Sequence, residues 1–311
     1  MRSKDLLSIS DLESHEIRLL LSDAAALKAE PRQNTLAGKT LALLFEKPSL
    51  RTRVSFELAM KQLGGEAIYL SPAEVGLGKR ESIADVARVL SRYVDALAVR
   101  TFSQGTLQEL AQWASVPVIN ALSDVEHPCQ ALADLLTIFE HKGEFPGLKL
   151  AYIGDGNNVA VSLALAAASV GLNFTIATPK GYELPLEVTR QVLDLAAAND
   201  CVFDAVTRPE DAVRGADVVY TDVWVSMGQE ADDEIRLKAF AGYQVDEALM
   251  AKAKPNAIFM HPLPAHYGQE VAEGLIDGPQ SVVFDQAENR LHAQKALLAD
   301  MLGGLLLSWS A

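Results

Sequence analysis

Between Phe45 and Glu57 the chain reads FEKPSLRTRVSFE, where an apolar run gives way to Ser49, Arg51, Thr52 and Arg53. Hydroxyls and guanidinium groups at this spacing are suited to holding an anion. A helix beginning near Ser49 aims free backbone N–H groups at it, and arginine adds a planar fork matched to phosphate oxygens. The competing explanation is structural: Ser49 caps the helix, and its arginines pair with Glu46 and Glu57. Arg100 and the run HPCQ at 127–130 weigh toward a site, because each also follows an apolar run. Further polar clusters follow apolar runs downstream: GDGNN at 154–158, TDVWVSMG at 221–228, HPLPAH at 261–266 and FDQAENR at 284–290.

These residues need elements to position them. Strand-like runs at 41–45, 67–70, 96–100 and 116–121 alternate with segments of helical period, and a second series follows at 148–154, 174–178, 218–223, 257–261 and 281–284. Such alternation predicts an α/β fold of two doubly wound domains, each a parallel sheet flanked by helices. In open sheets of this kind ligands bind outside the carboxyl ends of the strands, where the unusual polar residues gather. Gly and Pro in EHKGEFPG, 140–147, end a helical pattern that starts near His127 and place a boundary near residue 143. The expected domains are 1–143 and 144–289, with a C-terminal helix over about 290–311 packing back on the first.

The composition limits the partners. With 311 residues, 49% of them hydrophobic, the chain has enough material for two cores. A formal net charge of −14 argues against a nucleic acid or an anionic membrane as the main partner, so any anion site must be local. No window approaches the roughly 18 uninterrupted apolar residues of a membrane span. MRSKDLLSIS lacks the apolar core of a signal peptide, and the expected location is the cytoplasm. Cys129 and Cys201 are the only cysteines, with no metal-ligand spacing and no disulfide scaffold. GKT at 38–40 resembles the end of a P-loop, but Gln33 stands where its first glycine belongs. GDGNNV at 154–159 has Val159 in place of the third glycine of a dinucleotide fingerprint, and the following strand ends in Thr178 rather than an acid. ATP and NAD are therefore not expected, and the anion is read as a small phosphate compound.

SLRTR, HPCQ, DVWVSMG, HPLPAH and FDQAENRLH, in that order along nearly the whole chain, resemble the motifs of the aspartate/ornithine carbamoyltransferases, and most of all its ornithine-using members. The resemblance implies transfer of the carbamoyl group of carbamoyl phosphate to the δ-amine of L-ornithine, giving citrulline and phosphate in arginine metabolism. It implies no cofactor and no metal, and a homotrimer or a multiple of trimers. Carried over position by position, Ser49, Leu50, Arg51, Thr52, Arg100, His127, Gln130 and Arg290 hold carbamoyl phosphate. Asn158, Asp222, Ser226, Met227, Pro262 and Leu263 hold ornithine, and Thr52, Arg100, His127 and Asp222 carry the catalytic roles.

The chemistry agrees with those assignments. Attack of an amine on the carbamoyl carbon builds negative charge on the carbonyl oxygen, which needs preorganised donors, and Thr52, Arg100 and His127 are of the right type. Asp222 suits a cationic amine, whereas a turn or a helix cap is its structural alternative. Three positions depart from the family pattern. Pro262 stands where ornithine enzymes usually have a cysteine, which is the aspartate-type reading, although the carbonyls of Pro262 and Leu263 remain available as acceptors. Leu50 replaces a common threonine, and Gly76 a common glutamine near Lys79 and Arg80. Two rival readings stay open: a carbamoyltransferase for aspartate, an acylated ornithine or putrescine, and a non-catalytic binding relative, which should have lost the phosphate-site residues.

Overall fold

Strands buried on both faces read as unbroken apolar runs, and the chain supplies them. In a computed structural model that describes residues 3–71, 73, 76, 77, 81–225 and 233–303, TLALLF forms β1 (Thr40–Phe45), buried from Leu41 onward. The first sheet adds β2 (Glu66–Leu70), β3 (Ala96–Arg100) and β4 (Val118–Leu122), all parallel, in the order β2-β1-β3-β4. Around it run α1 (Ser14–Ala29), α2 (Leu50–Gln62), α3 (Ile83–Leu90), α4 (Gln104–Trp113) and α5 (Pro128–Lys142).

The second sheet holds β5 (Lys149–Ile153), β6 (Asn173–Ala177), β7 (Phe203–Val206), β8 (Val218–Thr221) and β9 (Ile258–Met260). Its order is β7-β6-β5-β8-β9, again fully parallel. Its helices are α6 (Asn158–Ser169), α7 (Leu186–Ala198), α8 (Pro209–Val213), α9 (Asp233–Ala239) and α10 (Glu247–Met250). From Val159 to Ser169, α6 is buried on every side, as its NVAVSLALAAAS composition dictates. The last elements among the described residues are α11 (Val283–Leu298) and a π-helical turn, Ala299–Gly303. The doubly wound α/β reading is therefore borne out twice.

Both sheets reverse their winding at one place. From β1 the chain first adds β2 on one side and then β3 on the other, and from β5 it adds β6 and later β8. The carboxyl ends of β1 and β3, and of β5 and β8, are the switch points where such sheets open a crevice.

Two compact units result, residues 1–136 with 288–311, and residues 137–287. In the first, the C-terminal stretch of α11 is fastened through Lys295, which has no exposed surface. Its ammonium donates to the carbonyls of Leu27 at 2.6 Å and Pro31 at 3.2 Å and to Gln62 Oε1 at 3.0 Å. Lys28 Nζ donates to Asn289 Oδ1 at 2.9 Å beside it.

One expectation is corrected, and one strand was not foreseen. Residues 281–284 are no strand: Ser281 makes a single bridge to Phe259, and Val283 and Phe284 already belong to α11. The apolar run was too short to separate a strand from the first turn of a helix. Conversely β7 went unread, because FDAV is an edge strand, with Asp204 and Ala205 exposed, and lacks an apolar run.

Candidate active site

The first unit gathers its cations at its switch point. Ser49, in extended conformation, caps α2: its Oγ accepts from Thr52 N at 3.4 Å and donates to Thr52 Oγ1 at 3.0 Å. Arg290, on α11, donates from Nη2 to Thr52 Oγ1 at 3.3 Å and from Nη1 to Gln130 Oε1 at 2.6 Å. Gln130 in turn donates to Asp134 at 2.7 Å, fixing its amide. Phe45 and Arg100 are register partners at the ends of β1 and β3, so the helix N-termini and the two strand ends meet by construction. His127 leads into α5, its carbonyl accepting from the N–H groups of Gln130 and Ala131.

Positive charge here is concentrated. Arg100 is 9% exposed, and its Nε has no hydrogen-bond partner among the described residues. Burial first, then Arg290 and Arg51, push its guanidinium down to about 10. Burial also lowers Arg51. His127 is held well below its ordinary value by burial and by Arg290, Arg100 and Lys47, so its imidazole is neutral at physiological pH and serves as a hydrogen-bonding group. Lys47, which sequence reasoning passed over, is 8% exposed, sits 4.7 Å from the centre of the Phe102 ring, and is pushed down to about 8 by burial and Arg100. Like charges crowded in a buried site repel one another, which favours any anion placed among them.

Arg53 has a different fate. It pairs with Glu57 at 2.9 Å and lies 4.0 Å from the Tyr69 ring centre, so the structural explanation of the cluster holds for it. Glu46 is occupied by the Thr101 hydroxyl and the Phe102 N–H. Leu50 begins α2 with its side chain exposed, which leaves its backbone as its contribution.

The second unit builds an acidic counterpart at its own switch point. Asp222, just beyond β8, is buried, and its Oδ2 accepts from Asn157 Nδ2 at 2.9 Å. Asn157 caps α6 through Val159 N and Ala160 N, which holds its side chain in place. Burial raises Asp222 above the usual carboxylate range, opposed by His261 and the Asn157 bond. His261 follows β9. Its Nδ1 accepts from Leu263 N at 2.9 Å, which places the ring proton on Nε2, 3.1 Å from Glu270. Leu263 has φ +55°, a left-handed conformation that a leucine holds only when its surroundings enforce it, so His261 fixes the backbone at Pro262 and Leu263.

Thus Ser49, Thr52, Gln130 and Arg290 form one hydrogen-bonded group, with Arg51, Arg100 and His127 electrostatically coupled to it or to one another. Asp222 lies in the second unit, bonded to Asn157, whose chain neighbour Asn158 opens α6. Ser226 and Met227 lie outside the described residues, as do Lys79 and Arg80. An Asn directly before an apolar helical run was the available signal for Asn157.

The carbamoyl-P binding domain model of the aspartate/ornithine carbamoyltransferases matches residues 4–140, and the Asp/Orn binding domain model matches 146–301. An ornithine carbamoyltransferase of Anoxybacillus flavithermus is 54% identical over 307 residues, covering 97% of this chain and 98% of the relative. The anabolic ornithine carbamoyltransferase of Pyrococcus furiosus is 51% identical over 309 residues, covering 98% of each. A solved ornithine carbamoyltransferase structure from P. furiosus superposes with a TM-score of 0.94 at 51% identity, covering 97% of both chains.

Proposed function

The chain belongs to the aspartate/ornithine carbamoyltransferase family, and from that premise we propose that it transfers the carbamoyl group of carbamoyl phosphate to the δ-amine of L-ornithine, giving citrulline and phosphate. The observation that carries this reading is the gathering of Arg51, Arg100 and Arg290 with Ser49, Thr52 and Gln130 at the first switch point, where each lowers or bonds the next. Ser49, Thr52, the Leu50 backbone and Arg51 take the phosphate at the N-terminus of α2, and Arg290 with Gln130 fixes the carbamoyl end. The neutral amine of ornithine attacks the carbamoyl carbon. The new C–N bond forms, the C–O bond to phosphate breaks, and the amine proton leaves to solvent. Charge building on the carbonyl oxygen falls to Thr52, Arg100 and His127 as donors, while the cations stabilise departing phosphate.

Ornithine is assigned to Asn158, Asp222, Ser226, Met227 and the carbonyls of Pro262 and Leu263. A buried carboxylate favours an acceptor bearing an ammonium and disfavours aspartate, whose second carboxylate would meet Asp222. The anabolic relative supports a place in arginine biosynthesis. A homotrimer is supported by an exposed apolar face at helical spacing on α2, Leu50, Val54 and Leu58, next to Ile68 of the edge strand β2. Both thiols are free, which suits a reducing cytoplasm.

Citrulline formation with carbamoyl phosphate and L-ornithine, beside aspartate, N-acetylornithine and putrescine, tests the proposal. Turnover with ornithine alone supports it, turnover with another acceptor moves the specificity, and silence with all of them removes the activity. The attacking species is the free amine, whose lysine-like pKa is about 10.4, so kcat/KM for ornithine should climb from neutral into alkaline pH. A profile falling through that range while the protein stays folded would contradict free-amine attack.

A further inference from the structure

Arg236, on α9 of the second unit, is buried and has no part in the chemistry above. Its Nε donates to the Trp224 carbonyl at 2.6 Å, and its Nη2 donates to Asp155. The guanidinium carbon lies 4.8 Å from the centre of the Tyr182 ring and 5.7 Å from that of Phe240. Asp155, Tyr182 and Trp224 belong to different loops, following β5, β6 and β8 in turn. Two of these loops also touch directly: Gly156 N–H donates to the Tyr182 carbonyl at 2.8 Å. A Cβ on Gly156 would come within 2.6 Å of the backbone of Glu183 and Leu184. Trp224 stacks on Phe240 at 5.5 Å, and both belong to the second unit's core.

A buried ion pair seldom adds net stability over a well-packed apolar substitute. The use of this one is geometric. Asn157 stands two residues beyond Asp155, and Asp222 two residues before Trp224, so the guanidinium is bonded to both chain segments that carry the Asn157–Asp222 hydrogen bond. It also balances Asp155, a second buried carboxylate, which feels the charge of Asp222.

We propose that Arg236 is a positioning residue for the amino-acid half of the site, holding the loops after β5, β6 and β8 together so that Asp222 and Asn157 meet the acceptor in one fixed geometry. This rests on the second unit being the ornithine half. The effect belongs to the acceptor, because every partner of Arg236 lies in that unit.

Steady-state kinetics test it, with each substrate varied in turn, on wild type, Arg236→Met, Arg236→Lys, Asp155→Asn and the double variant Asp155→Asn with Arg236→Met. In Arg236→Met, kcat/KM for ornithine should fall about 10²-fold, the scale of a slightly misplaced site. KM for carbamoyl phosphate should stay within about twofold. Arg236→Lys keeps the charge but neither the fork nor the stacking, and should recover only part. The double variant should be no worse than the worse single, as expected of groups acting through one contact. Equal losses for both substrates, or additive losses in the double variant, would overturn the proposal. Should Arg236→Met fail to fold, Arg236→Lys and Asp155→Asn carry the same readouts. Wild-type silence with ornithine would instead sink the assigned activity, so wild type is measured first.

Discussion

Arg51 and Arg53 stand two residues apart on one helix and meet opposite circumstances. Arg53 is held by Glu57 and Tyr69, whereas Arg51 is half-buried with no carboxylate partner among the described residues and is coupled to Arg100. Arg51→Ala should therefore weaken carbamoyl phosphate by about 2–3 kcal/mol, the value of a charged hydrogen bond. Arg53→Ala should change it by less than about 0.5 kcal/mol, as for an exposed helical pair. The KM for carbamoyl phosphate measures both, and equal effects would remove the distinction. His127 gives a prediction in pH. Its folded value is depressed, so below pH 6.5 the unfolded chain takes up a proton that the native state refuses. Stability is then lost as the pH falls, by at most about 1.4 kcal/mol per unit. Urea unfolding on either side of pH 6.5 should show that slope, and His127→Gln should flatten it. Residue types and their place after apolar runs made Ser49, Arg100 and His127 legible in the sequence. Lys47 and Arg236 were not, because burial and the choice of partner are set by neighbours distant along the chain; Asn157 had a capping signal, but its bond to Asp222 had none.

At the scale of elements, strand ends decide where chemistry gathers. Alternating strand and helix periods sufficed to foresee two parallel sheets, since fully buried strands need continuous apolar runs. The switch points depend on strand order, which no local pattern encodes. The same limit explains β7, half-exposed at an edge, and 281–284, where a few apolar residues fit either element. Loop packing adds constraints of its own. Gly156→Ala should destabilise the protein by about 1–3 kcal/mol, the range of overpacking, because all three atoms its Cβ would crowd are backbone. Chemical denaturation would measure it, and an unchanged midpoint would mean that the loops after β5 and β6 yield easily.

For the whole molecule, a net charge of −14 keeps the surface acidic while one site is strongly cationic. The acidity disfavours adventitious polyanions, and the buried cluster remains selective for something small. If α2 and β2 form the contact between copies, light scattering should give about three times the 33.5 kDa chain mass. Leu58→Glu should shift the population to smaller species, since a carboxylate in an apolar contact is costly to bury. A wild-type monomer at assay concentration would rule out the trimer.

The first unit is assembled from residues 1–136 and 288–311, and synthesis delivers those segments far apart in time. A nascent chain that has produced β1 to β4 still lacks Arg290, which bonds Thr52 and Gln130, and Lys295, which binds Leu27, Pro31 and Gln62. The whole second unit is translated before either arrives. On the proposed assignment, phosphate affinity is tied to synthesis past Lys295: a chain stopped before Arg290 carries the SLRTR helix but lacks the residues proposed to close its anion site, so ligand-induced protection against proteolysis would separate chains that contain them from chains that do not.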